Sequence, residues 1–227
     1  MKKSNNPLFI VSSIVLFIPM IVGIILWNKL PDKMPTSFDF SGTPTAYSSK
    51  MFAAIGLYIM LFLIHLFVAF MVGTESRKPL TSKAIGIIML ICPALSVFLS
   101  ICIYGTALGK EIAIPPLLNL FLGFIYLIIG NYLPKIRRNF VVGVQIKWAL
   151  ESDKNWESTT RFSGYTMFIT GLLLVILGMI CFFVRIPDTP VTFLIIMCIL
   201  LFPVFAMAWH SYNYYRKHKD EADYYSN

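Results

Sequence analysis

The sequence predicts an all-α membrane protein with six transmembrane helices, and three observations predict it. Hydrophobic residues make up 57% of the 227 and charged residues only 13%, against about 25% in a typical soluble domain. The 19 Lys and Arg and 11 Asp and Glu also avoid six stretches altogether: residues 4–28, 51–74, 84–109, 112–134, 162–184 and 189–215. Each is long enough for the ~20 apolar residues that a bilayer-spanning helix needs. A charge at the centre of such a helix costs about 2.5–3.5 kcal/mol on insertion scales. The third observation is where the basic residues fall. With the amino terminus inside, fourteen Lys and Arg lie on inner segments and five on outer ones, the bias expected of cytoplasmic loops. Both termini are therefore expected in the cytoplasm. The same bias accounts for the net charge of +8 without a nucleic-acid partner. A soluble enzyme, a DNA-binding domain and a secreted disulfide scaffold are excluded.

The elements follow in order. The first helix is read from Leu8 to Trp27. It exceeds the ~7–15 apolar residues of a signal-peptide core, and no small-residue cleavage site follows, so an uncleaved helix is expected. The outer loop from Asn28 to Lys50 carries the helix breakers Pro31, Pro35, Gly42 and Pro44, with the apolar Phe38, Phe40 and Tyr47 outside any span. A loop of that length is expected to be ordered on the outer surface. The second helix runs from Met51 to Gly73 and is followed by an inner loop with Arg77, Lys78 and Pro79. The third runs from Ala84 to about Tyr104, with Pro93 as a kink site. Pro115 and Pro116 suit the first turn of the fourth helix, which ends near Leu133.

The inner segment 134–164 opens with Lys135, Arg137 and Arg138. Ser152 or Asp153 can cap a short helix through Arg161, expected to lie at the cytoplasmic interface with Trp156 in the headgroups. The last two helices are read as Tyr165–Val184 and Val191–Trp209, followed by a cytoplasmic tail from His210 to Asn227. Two three-helix halves, 1–111 and 112–227, are thereby defined. The similar exits Asn28-Lys29-Leu30-Pro31 and Asn131-Tyr132-Leu133-Pro134 suggest a 3+3 inverted-topology repeat.

The spans are chemically plain. No carboxylate, Lys or Arg lies in them, and the HExxH, GxSxG and GxxxxGK[ST] patterns are absent, so no metal, nucleophile or phosphate motif presents itself. No cofactor and no catalytic residue are expected. Cys92, Cys102, Cys181 and Cys198 have no CxxC spacing and read as small hydrophobes. Gly123 with Gly130, and Gly171 with Gly178, repeat at seven residues and read as close helix packing. His65 is the deep titratable group. It reads as a proton or ligand contact, or as a neutral imidazole bonded to a neighbouring helix; the absence of an acidic partner favours the second. Asn119 reads as interhelical glue. Trp148 and Trp156 suit interface anchors, yet a 31-residue inner segment also suits a docking surface or an element packed under the bundle.

Two segments carry a resemblance. The outer stretch Leu30-Pro31 … Pro35 … Phe38-Asp39-Phe40-Ser41-Gly42 … Ser49-Lys50 resembles a small bacterial membrane domain of unknown function. The inner stretch Gly130-Asn131-Tyr132-Leu133-Pro134-Lys135, Asn139-Phe140, Gly143, Trp148, Leu150, Trp156 and Thr159 resembles the SdpI immunity-protein family. Both motifs, in this order on six helices, are the arrangement of that family's full-length members. There are departures: Ser37 stands where the outer pattern usually has His, and Thr45 lies where an acidic residue is common. Gln145 stands for Arg within Gly143–Leu150, and Thr160 follows Thr159 where His is typical.

The resemblance implies immunity to a secreted membrane-active peptide toxin, with a signalling role also attached to the family. The outer loop (Leu30, Pro31, Pro35, Phe38, Phe40, Gly42, Tyr47 and Lys50) is then expected to face the toxin. The inner segment (Asn131, Pro134, Lys135, Asn139, Gly143, Trp148, Leu150, Trp156 and Thr159) is expected to report to a cytoplasmic transcriptional regulator. Membrane lipids are the remaining partners. The alternative reading is a small transporter or flippase with a site near His65.

Overall fold

The computed structural model describes residues 6–39, 41–74, 80–139, 142–184 and 189–218. Phe40, Arg77, Lys78, Phe140, Val141, Arg185, Lys219 and the amino-terminal lysines lie outside the described residues. The chain runs α1 (Asn6–Ile25), β1 (Lys33–Phe38), β2 (Pro44–Ser49), α2 (Leu57–Thr74), α3 (Ser82–Ala107), α4 (Ile114–Tyr132), α5 (Lys147–Glu151), α6 (Asp153–Phe183) and α7 (Pro190–Lys217). Six helical stretches are long and apolar enough to cross a membrane: Pro7–Ile25, Phe52–Thr74, Ser82–Ala107, Ile114–Lys135, Asp153–Phe183 and Leu194–Lys217. The all-α membrane class and its six helices are as the sequence predicts.

Four features differ from the sequence reading. The outer loop is a β-hairpin, not irregular chain: β1 and β2 pair antiparallel from Lys33 opposite Ser49 to Phe38 opposite Pro44. A π-helical turn, Phe52–Gly56, leads into α2. The short interfacial helix does not exist as a separate element. Ser152 does cap it, its Oγ accepting the Asn155 N–H at 3.0 Å, but the helix runs on unbroken to Phe183. Gly164 was the apparent boundary, and it serves packing instead. Lastly, the start of the tail is helical, because α7 continues through the aromatic stretch to Lys217.

The chain divides into two compact units. The first holds α1, the hairpin, α2, α3 and the opening turn of α4. Its core gathers Leu16, Tyr58, Leu61, Cys92, Ile103 and Tyr104 from the helices with Leu30 and Met34 from the base of the hairpin. Gly23 lacks the side chain that would collide with the Tyr104 hydroxyl, which reaches the Pro19 carbonyl at 3.1 Å. That bond gives a buried phenol the acceptor that hydrocarbon cannot supply.

The second unit holds the rest of α4, α5, α6 up to Met179, and α7. Here α4 and α6 meet backbone to backbone through glycines. A Cβ on Gly130 would lie 2.6 Å from the Phe168 amide nitrogen and 2.9 Å from the Gly164 carbonyl. One on Gly123 would lie 2.9 Å from the Gly171 carbonyl. The seven-residue spacing on α4 is thus matched by Gly164 and Gly171 on α6, one heptad earlier than the Gly171–Gly178 pair that the sequence singles out. Lipid gives helices no hydrophobic drive to associate, so close packing of small residues supplies much of it. On the other face of α4, the Tyr126 hydroxyl donates to the Leu200 carbonyl of α7 at 2.8 Å.

Gly130→Ala is expected to lower the thermal midpoint of the detergent-solubilised chain, because its obstacle is backbone. The cost is about 1–3 kcal/mol of overpacking, against a gain of about 1 kcal/mol in helix propensity. Gly86→Ala, whose nearest neighbour is a Leu8 methyl at 4.0 Å, should leave the midpoint unchanged or raise it.

Candidate functional site

The outer piece is built on the sequence of the hairpin. Pro31 and Pro35 prevent α1 from continuing, and two irregularities, between Pro35 and Ser37 and between Ser37 and Phe38, bend the strands. Thr36 and Ser48 hydroxyls bond across them at 2.9 Å. At the tip, the Asp39 carboxylate accepts from the Ser41 and Thr43 amides at 3.0 and 2.8 Å and from the Ser41 hydroxyl at 2.7 Å. These bonds, the Ser41 hydroxyl first, hold the carboxyl below its ordinary value. Gly42 turns the chain with φ of 85°, a conformation costly to other residues. A Cβ there would press on the Pro115 ring at 3.2 Å. At the base, Lys50 lies over the Trp27 ring and pairs with Asp32 at 3.1 Å.

The eight outer residues predicted to face a toxin therefore separate. Leu30 and Pro35 are buried and do not face outward. Phe38 is half-buried against the core of the first unit. Gly42 and Lys50 are half-buried, while Pro31 and Tyr47 are exposed, Tyr47 to 58%. Phe40 lies outside the described residues.

The inner piece is a folded layer. Leu133, Val144, Ala149 and Trp156 form its core, with Ile136, Leu150, Met167 and Met207 against them. Trp156 is buried, and its indole N–H donates to the Ile136 carbonyl at 2.8 Å. This corrects its placement in the headgroups: the ring is packed inside the segment's own core. A Cβ on Gly143, whose φ is 112°, would lie 3.1 Å from the ring. Asn139 is buried; its amide donates to the Arg137 and Val142 carbonyls and accepts the Val142 N–H. Arg138 joins Asp153 at 2.7 Å and the Leu150 carbonyl at 2.9 Å, tying the end of α5 to the start of α6. Trp148 is half-buried against Tyr212 of α7, ring centroids 4.9 Å apart. Asn131 and Lys135 are exposed and bonded to each other, and Pro134 packs against Gly164.

The centre of this layer is a residue that sequence reading passed over. Asn155 donates to the Trp148 and Ser211 carbonyls at 2.8 and 3.1 Å and accepts from the hydroxyls of Thr159 and Ser211. It thus connects α5, α6 and α7. An asparagine beside a tryptophan in a polar stretch carries no motif; only its position three residues after the Ser152 cap hinted that it faces inward. The departures from the family pattern are accommodated. Gln145 donates to the Asn139 carbonyl at 3.2 Å, Thr160 is buried with its hydroxyl on the Trp156 carbonyl, and Ser37 is exposed.

Within the first unit, His65 is fully buried with its Nε2 2.9 Å from the Ser12 hydroxyl and its ring stacked on Phe9. Asn119, at the start of the second unit's share of α4, is buried as well. His210 of the second unit makes a similar arrangement with Ser158 and Phe162. Among the described residues no group of three His, Cys, Asp or Glu is placed to hold a metal.

The two pieces coincide with what known proteins share. Residues 14–62, which contain the hairpin, match a domain of unknown function (DUF1648). Residues 135–208, from the inner layer into α7, match the SdpI/YfhL protein family. Over that segment the chain is similar to the SdpI/YfhL family. It is 25% identical over 212 residues to Immunity protein SdpI of Bacillus subtilis (strain 168), covering 92% of this chain and 96% of that protein. No solved structure matches the chain. The SdpI/YfhL segment thus begins at Lys135 and takes in the ties made by Arg138, Asn139 and Trp156, and those of Asn155 except its bonds to Ser211.

Two outcomes are expected of this geometry. Asn155→Ala removes one donor to the Trp148 and Ser211 carbonyls and takes the acceptor from the buried Thr159 and Ser211 hydroxyls, at about 1–3 kcal/mol for a buried group left unpaired. Faster amide exchange through α5, with α1–α3 unchanged, is the signature. At the hairpin tip the lowered Asp39 carboxyl stabilises the turn fully above its ordinary value of 3.8. That contribution disappears as the pH falls through the lowered value. Exchange of the Ser41 and Thr43 amides should accelerate in that acidic window, and Asp39→Ala should remove the pH dependence.

Proposed function

We propose that this multi-pass membrane protein confers immunity on the cell that makes it, against a secreted membrane-active peptide toxin. The observation that carries the reading is the end-to-end likeness to Immunity protein SdpI. It includes both polar pieces, whereas a shared set of apolar helices alone would signify little. The supporting physics is that the spans offer no catalytic constellation, so protection by binding fits better than protection by chemistry. In this reading both termini are cytoplasmic, and the hairpin faces the outside where a secreted peptide arrives. The exposed Tyr47 and Pro31 meet it, and the layer around Trp156 and Asn155 faces a cytoplasmic regulator. Coupling the two requires the toxin to bind one of two states better than the other.

Expression of the chain in a Bacillus subtilis strain deleted for its own SdpI is expected to restore survival during toxin production. No rescue, with the protein present in the membrane at the level of the native one, overturns the proposal. Tyr47→Ser is expected to lower survival without lowering membrane abundance. Phe38→Ser should lower abundance as well, since its ring is half-buried in the core. Unchanged survival for Tyr47→Ser removes the hairpin from recognition.

A further inference from the structure

Among the described residues, the inner layer of the second unit carries more cations than acids. Arg138 is held by Asp153, and Arg161 by Glu157. Arg137, Lys147, Lys154, Arg216 and Lys217 are exposed and make no ion pair among the described residues, with Glu151 as the one exposed unpaired acid on α5. The fold brings them to one end of the unit. Trp148, next to Lys147, packs on Tyr212. Asn155, next to Lys154, bonds Ser211. Arg137 adjoins the arginine that grips the start of α6.

Their height relative to a bilayer can be read from the helices. α7 carries the exposed Trp209 and Tyr212, 65% and 40% accessible, of the kind that settle at the membrane–water boundary. Arg216 and Lys217 follow Trp209 by two turns, about 11 Å at 1.5 Å per residue, which is headgroup distance from that boundary. α6 has 31 residues, about 46 Å of helix against a hydrocarbon core of about 30 Å. Its first turns therefore stand among or beyond the headgroups.

We propose that Arg137, Lys147, Lys154, Arg216 and Lys217 form a binding surface for anionic phospholipid headgroups. The occupant follows from charge and depth together: a net cationic surface, continuous with two membrane-crossing helices and bordered by interface aromatics, meets lipid phosphates. Each such cation near an anionic surface contributes about 1 kcal/mol, so three removed charges should weaken binding by roughly a hundredfold. The surface acts whether or not the chain protects against a toxin.

The test uses the full chain in neutral detergent. Native mass spectrometry counts retained phosphatidylglycerol against phosphatidylcholine, and fluorescence titration with mixed micelles measures affinity. Preferential retention of phosphatidylglycerol is expected, weakened by 0.5 M salt and by the triple variant Lys147→Ser, Arg216→Ser, Lys217→Ser, but kept by the all-lysine control Arg216→Lys. Elution of each variant as the parent does on size exclusion shows that it is folded. Equal retention of the two lipids, or unchanged affinity in the folded triple variant, overturns the proposal. So does inorganic phosphate competing at equal phosphorus concentration, which marks a free-phosphate site. Binding of polyglutamate more tightly than phosphatidylglycerol overturns it in favour of an acidic protein partner.

Discussion

A backbone that crosses hydrocarbon has no water to bond with, so each N–H and C=O must be satisfied by the segment itself or by a neighbour. Everything else in this chain adapts to that constraint. It forces helix through the six spans and keeps the hairpin, whose strands have free edges, outside them. It also explains the behaviour of the few polar side chains at depth. Most hydroxyls there bond back to carbonyls of their own helix, as Ser96 does to Pro93 and Ser163 to Thr159. Tyr104 and Tyr126 reach across to carbonyls of other helices. Each carbonyl has a second lone pair, so these bonds add connections between helices without removing any within them.

The constraint also explains why α4 and α6 approach so closely. With lipid and side chain equally apolar, contact area and backbone proximity distinguish one arrangement of helices from another. Glycines at 123, 130, 164 and 171 remove the Cβ atoms that would hold the two backbones apart. The crossing positions the first turns of α6, and through them Ser152, Asn155 and Trp156. The inner layer thus inherits its geometry from a packing feature inside the membrane, and its own polar bonds then fix α5 and α7 against that reference.

Sequence made the spans legible because exclusion of charge from hydrocarbon is a one-dimensional rule, visible residue by residue. It made the two polar pieces visible for the complementary reason. What it concealed was tertiary. The hairpin register depends on two irregularities that no alternation pattern displays, since β2 reads Pro44-Thr45-Ala46-Tyr47-Ser48-Ser49 with little apolar periodicity. Gly164 closes the segment read as lying outside the spans, and only the facing Gly130 shows that it serves packing inside one continuous helix. Trp156 looked like a headgroup anchor for a similar reason: an indole suits a boundary or a core, and the Ile136 carbonyl 20 residues away settles it.

His65 shows how a hydrogen-bond count can weigh a functional reading. The Ser12 hydroxyl donates its proton to the Phe9 carbonyl at 3.0 Å. The direction of its bond to His65 Nε2 is set by the ring's tautomer. Nδ1 is buried without a hydrogen-bond partner. The Ser12–His65 pair fastens α1 to α2. What remains distinctive in the chain lies in the polar segments outside the spans, where water is available and charge is cheap.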